Sequence, residues 1–163
     1  LTSGGTSVGG ADLVPDAVNN LGKPGIIIHG IAMRPGMPTA LAAINKKPLI
    51  ILPGNPVAAI IGFEVFARPL LAKLQGMKHA EPRPTVQAEM TRRTATTLGR
   101  KNYVRVHVQR KNGKLYAEPI SAKGSSMLST LTRSNGYVIV PENREGIEKG
   151  EIVQVQVFDT ISE

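Results

Sequence analysis

Arg34 sits in Arg34-Pro35-Gly36-Met37-Pro38, where two prolines around a glycine stiffen the backbone. A guanidinium carried on such a loop suits an oxyanion or phosphate, because its planar fork reaches two oxygens at once. A surface arginine beside a rigid turn fits the same residues. Upstream, Ser3 to Gly10 (SGGTSVGG) holds four glycines and three hydroxyl residues in eight positions. Glycine lets backbone N–H groups converge on a ligand without a Cβ in the way, and the hydroxyls can add bonds to phosphate oxygens. The lysine and spacing of a P-loop are missing, and G-x-G-x-x-G does not fit either. Asp12 follows closely and could orient a hydroxyl or a hydrated cation, or cap the next helix. A third turn, Pro53-Gly54-Asn55-Pro56, ends an apolar run and opens a helical pattern. Free amides and the positive end of a helix dipole at such a turn favour anions. Nothing resembles an activated nucleophile. The chain has no cysteine, and His29, His79 and His107 lie too far apart for a metal-ligand spacing.

The elements that must position these loops follow from pattern. Leu49 to Leu52 is too short for a helix and lacks polar alternation, so it predicts a strand buried on both faces. Pro53 and Gly54 end it, Asn55 is a suitable N-cap, and Pro56 stands where the first turn needs no donor. Ile60, Ile61, Val65, Leu70 and Leu74 predict one apolar face on a helix reaching about Leu74. Before that strand the pattern predicts a helix over Asp12 to Leu21 stopped by Gly22, and strands at Ile26 to His29 and Ile31 to Met33. Asn45 to Pro48 reads as a turn. Residues 1–76 form one α/β unit on this reading, and 77–84, with its prolines and polar residues, a linker. From 85 to 163 the pattern changes to short alternating strands: Thr85 to Met90, Tyr103 to Gln109, Leu115 to Pro119, Gly136 to Val140 and Glu151 to Phe158. Asn112-Gly113 is a strong hairpin signal. Gly124-Ser125-Ser126 opens a short helix with Met127, Leu128 and Leu131 inward. A small barrel or sandwich follows.

The net charge is +8 and the pI about 10.1, which favours anionic partners. The cations are spread through the second half (Arg92, Arg93, Arg100, Lys101, Arg105, Arg110, Lys111), and the aromatic content of 4% offers few stacking platforms. Nucleic acid is therefore not the expected partner. No apolar run approaches the roughly 20 residues that span a bilayer, and no signal peptide opens the chain, so a cytoplasmic protein is expected. Leu1-Thr2-Ser3-Gly4 lacks an initiator methionine and reads like the tail of a strand, so a piece of a longer chain is expected.

The three loops, in this order and spacing, closely resemble the molybdopterin molybdenumtransferase family, the molybdenum insertases that include bacterial MoeA and the matching domain of gephyrin. There S-G-G-[TV]-S-V-G precedes an acidic residue, K-P-G-K-P follows, and L-P-G-N-P-V-S-A begins the last helix. Thr2 to Gly9, Asp12, Ala32 to Pro38 and Leu52 to Ala59 match in order. Related molybdopterin-binding adenylyltransferases usually carry G-G-T-G, whereas Ser7-Val8-Gly9 follows Thr6 here. Arg34 stands for the family's first loop lysine, Met37 for its second, Gly10 for a position that is often acidic, and Ala58 for a common serine.

The resemblance implies the C-terminal part of a molybdopterin-binding three-layer α/β domain followed by a small β barrel. It implies insertion of molybdenum from molybdate, or tungsten from tungstate, into adenylylated molybdopterin with release of AMP. The alternative it admits is a non-catalytic scaffold module of the gephyrin type. It implies catalytic roles for Asp12 and Arg34, with Mg²⁺ at Asp12. Substrate contacts fall on Gly4, Gly5, Thr6, Ser7, Val8, Gly9, Pro35, Pro53, Gly54, Asn55 and Pro56, and on Ser125 and Ser126 in the barrel domain. A homodimer in the longer protein is implied too, as is inactivity of this piece alone.

Overall fold

A computed structural model describes residues 1–4, 13–78, 83–120 and 129–163. The chain divides into two units, Leu1–Ala80 and Glu81–Glu163. The first contains β1 (Thr2–Ser3), α1 (Leu13–Leu21), β2 (Pro24–His29), β3 (Met33–Arg34), β4 (Ala40–Ile44) and β5 (Lys47–Leu52). A helix then runs as α2 (Pro56–Gly62), a π-helical turn (Phe63–Ala67) and α3 (Arg68–Leu74).

Its sheet has the order β1-β5-β4-β2, with β1 parallel to β5 and the other neighbours antiparallel. β5 is interior, and its apolar run alternates between two cores. Ile51 packs with Val18, Ala40 and Ala42 on the α1 side, and Ile50 and Leu52 pack with Ala67 on the other. That is a helix–sheet–helix sandwich of three layers.

Four details depart from the sequence reading. Ala40–Ile44 is a strand, although ALAAI has neither β-branched enrichment nor alternation; it forms because β2 and β5 bond it on both sides. The turn before β5 is only Asn45-Lys46, at φ 49° and 68°, while Lys47 and Pro48 already pair in the strand. The strand expected at Ile31 to Met33 is limited to Met33–Arg34. The helix does not keep one face: Ile61 is buried, but Ile60 and Leu74 are 46% and 63% exposed. The Arg68 amide reaches back five residues to the Phe63 carbonyl, and the wider turn rotates everything after it. Pro69, which lacks a donor and would crowd the carbonyl four residues earlier, sits directly after this turn.

The second unit contains β6 (Thr85–Met90), β7 (Thr94–Ala95), β8 (Lys101–Lys111), β9 (Lys114–Pro119), α4 (Ser129–Thr132), β10 (Gly136–Val140), β11 (Gly146–Ile147) and β12 (Ile152–Val157). β8, β9, β6, β12 and β10 pair in that circular order, and β10 returns to β8, closing a five-stranded barrel. β7 and β11 form a separate two-stranded ladder. Alternation fills the interior with Val106, Val108, Val138, Val140, Val153, Val155 and Met90. Asn112 and Gly113, at φ 50° and 77°, make the tight turn between β8 and β9.

Asn135 locks the closure. Its side chain accepts from the Val108 amide at 2.7 Å and donates to the Val108 and Thr160 carbonyls at 2.8 and 2.9 Å. Next to it Gly136 lies so close to β12 that a Cβ would stand 2.6 Å from Val155 Cγ1. The start of the short helix, with Met127 and Leu128, and residues 79–82 of the expected linker lie outside the described residues.

Candidate functional site

In the first unit two of the three sequence-identified loops are brought together at the sheet's carboxyl edge. β1 runs parallel beside β5 in the register Thr2↔Ile51 and Ser3↔Leu52, so both strands end side by side. The Gly4 amide donates to the Leu52 carbonyl at 3.0 Å and the Ser3 hydroxyl to the Pro53 carbonyl at 3.0 Å. A Cβ on Gly54 would stand 3.5 Å from Gly4 Cα. Gly4 itself has φ +101°, a backbone conformation that side chains disfavour, and among the described residues nothing lies within 4 Å of where its Cβ would stand. Its contribution is a bare backbone rather than a free donor.

Asn55 caps α2: its Oδ1 accepts from the amides of Val57 and Ala58 at 3.1 and 3.2 Å, and Pro56 needs no partner. The first helical amides are thus used within the chain. The Gly54 and Asn55 amides make no hydrogen bond among the described residues. They are the donors this turn can offer to an anion. Gly5, Thr6, Ser7, Val8, Gly9 and Asp12 lie outside the described residues.

The Arg34 loop is a closed structure. Its ends are tied by Gly30 N–H to the Thr39 carbonyl at 3.2 Å and by Ile31 N–H to the Met37 carbonyl at 2.9 Å. Met33 is 2% exposed and fills the space beneath Gly36, where a Cβ would come within 2.9 Å of its Cε. Arg34 is exposed, Pro35 follows it through a cis peptide, and Met37 is 44% exposed.

The second unit holds a residue that pattern alone did not single out for binding. Arg105 stands on the outer face of β8, opposite Tyr137 of β10 and two residues from Tyr103. Both tyrosines are buried, their rings in edge-to-face contact at 5.8 Å. Burial pulls the Arg105 pKa down, and its Nε is a buried donor without a partner among the described residues. A charge left this way is costly unless something occupies it. Its carbonyl accepts from Ile120 N–H at 3.0 Å. Ser125 and Ser126 lie outside the described residues. The sequence signal was a cation within an alternating strand between two later-buried tyrosine positions.

Among the described residues no group of three or more His, Cys, Asp or Glu side chains could hold a metal, and no helix is long and apolar enough to cross a membrane.

Comparison with known proteins agrees with this architecture. Residues 1–73 match the family model described as "Probable molybdopterin binding domain", and residues 87–158 match "MoeA C-terminal region (domain IV)". A protein of Methanocaldococcus jannaschii named for molybdopterin biosynthesis is 39% identical over 158 residues, which is 97% of this chain and 36% of that protein. The molybdopterin molybdenumtransferase of Bacillus subtilis is 34% identical over 157 residues, 95% of this chain and 36% of the relative. A molybdopterin biosynthesis MoeA protein of Pyrococcus horikoshii superposes with a TM-score of 0.74 at 30% identity, over 93% of this chain and 36% of that one. The chain spans 36% to 39% of the length of the curated relatives it matches. With both domain models matched in sequence order and the same two-part fold in a solved relative, the chain belongs to the molybdopterin molybdenumtransferase (MoeA) family.

Proposed function

We propose that this chain supplies anion-binding loops to a molybdenum insertase, which transfers molybdenum from molybdate into adenylylated molybdopterin and releases AMP. The observation that carries this reading is the packing of Gly4 onto Gly54, with the Gly54 and Asn55 amides making no hydrogen bond among the described residues. A bare backbone and such donors at a sheet's carboxyl edge suit a phosphoryl group. Preorganised donors of this kind stabilise charge without rearranging during the reaction. The loop of Gly5, Thr6, Ser7, Val8 and Gly9 would add further amides and hydroxyls.

Arg34 would meet the molybdate oxyanion, or tungstate, with its two-pronged fork. Arg105 would pair with an anionic group of a ligand bound at the barrel unit, and Ser125 and Ser126 would add hydroxyl contacts. Pairing would satisfy the buried Nε and offset the cost of burying that cation. Mg²⁺ is ordinarily held by one or two carboxylates together with substrate phosphates and waters, so Asp12 alone is an adequate protein ligand. Bound there, Mg²⁺ would neutralise phosphate charge. The protein would be cytoplasmic and dimeric.

Calorimetric titration of molybdate into the intact protein tests the assignment. Arg34→Ala should lower the affinity by about 10- to 100-fold, as expected for loss of a charge-assisted hydrogen bond worth about 1.5–3 kcal/mol. Unchanged affinity would reduce the Arg34 loop to a rigid turn.

A further inference from the structure

The Arg34 loop and the helix that follows Asn55 meet at one buried contact. Thr39 is fully buried at 0% exposure. Its hydroxyl donates to the Gly36 carbonyl at 2.7 Å, and its amide donates to the same oxygen at 3.0 Å. Its own carbonyl holds Gly30 at the other end of the loop. Thr39 therefore cinches the loop from inside, immediately before β4. Gly62 ends α2 against this residue, where a Cβ would stand 3.3 Å from Thr39 Oγ1 and 2.8 Å from Leu52 Cδ2. Leu52 is the last residue of β5, one position before the Pro53-Gly54-Asn55 turn.

We propose that Thr39 and Gly62 are positioning residues that hold the Arg34 loop in fixed register with the strand and helix bearing the Asn55 turn. This rests on the reading of Arg34 as an oxyanion contact. Two loops that serve one substrate need a common reference, and a displacement of about 1 Å is enough to spoil a preorganised site. Here the reference is the close approach of the loop's inner hydroxyl to a glycine without a side chain. A Cβ at Gly62 presses on the end of the Leu52 side chain and on the Thr39 hydroxyl inside the loop, and Thr39 must give by a few tenths of an ångström. Thr39→Val keeps the volume and removes the hydroxyl's bond to Gly36 while the amide's bond remains, so the loop is loosened while the core stays filled.

A double-mutant cycle on molybdate affinity in the intact protein separates positioning from general loosening. Thr39→Val and Gly62→Ala are each measured with Arg34 present and with Arg34→Ala, alongside the melting temperature. We expect each to weaken binding by about tenfold when Arg34 is present and by less than about twofold when it is absent. Thr39→Ser, which retains the hydroxyl, should bind within about threefold of the wild type. Equal losses in both backgrounds, or no loss at all, would overturn the positioning role while leaving the Arg34 assignment standing. A wild-type protein that binds no molybdate would overturn the underlying reading, and this one with it.

Discussion

Asn55 does two jobs that substitution can separate. Its carboxamide oxygen caps α2, and its backbone N–H, which makes no hydrogen bond among the described residues, is proposed as an anion donor. Asn55→Ala should destabilise the first unit by about 1 kcal/mol, the usual worth of an N-cap, read as a lower melting temperature. Asn55→Asp keeps an acceptor for Val57 and Ala58, so stability should hold, while its negative charge should weaken molybdopterin binding. Equal molybdopterin binding by the Asp variant and the wild type would place the phosphoryl group elsewhere. Arg105 offers the opposite dissociation. Its Nε lies buried beside tyrosine neighbours with no partner among the described residues, so Arg105→Leu should leave the melting temperature unchanged or raise it. The same change should sharply reduce affinity for molybdopterin. Lower stability with undiminished binding would make Arg105 a structural residue.

At the scale of elements, the barrel was the more legible half. Its valines alternate strictly, and Asn112-Gly113 can hardly be anything but a hairpin, so the five barrel strands follow from pattern alone. The first unit was legible at β5 and its capped turn, where Pro, Gly and Asn each have one conformational use. Two of its features were not. The strand Ala40–Ile44 takes its conformation from neighbours that bond it, a tertiary cause that alanine propensity hides. The π-helical turn breaks the 3.6-residue period on which the expected apolar face depended; Pro69 was its only local sign. The site divides the same way. The turns at Arg34 and at Pro53 were readable from their glycines and prolines, and Gly5 to Gly10 of the glycine loop lie outside the described residues, whereas Thr39 and Arg105 acquire meaning only from what is packed around them. Barrel closure gives an element-scale test. Asn135→Ala would strand the Val108 amide and carbonyl in the interior. It should cost about 2–4 kcal/mol in denaturant unfolding; a loss under about 0.5 kcal/mol would mean the tail and β8 are held by other contacts.

For the molecule as a whole, charge links stability and binding. With a formal charge of +8, affinity for molybdate should fall as salt is raised. Acid stability has a nearer cause: the Arg144 guanidinium, bonded to Glu151, holds that carboxyl below its usual range. The unfolded carboxyl takes up its proton near pH about 4.3, before the folded one does. The pair therefore stabilises the barrel domain above that pH, and the gain is lost as pH falls toward the lower folded value. Glu151→Gln should flatten the acid limb of a melting-temperature profile and leave a smaller difference between pH about 6 and about 3. An unchanged limb would assign acid sensitivity to other carboxylates.

The central claim is that these loops serve molybdenum insertion, and AMP release tests it most directly. The intact protein is supplied with adenylylated molybdopterin, Mg²⁺ and molybdate, and free AMP is measured over time. Release that depends on molybdate and falls at least about 100-fold in Arg34→Ala is the predicted result. Tight binding of molybdopterin with no molybdate-dependent AMP would contradict it and point to the non-catalytic scaffold instead.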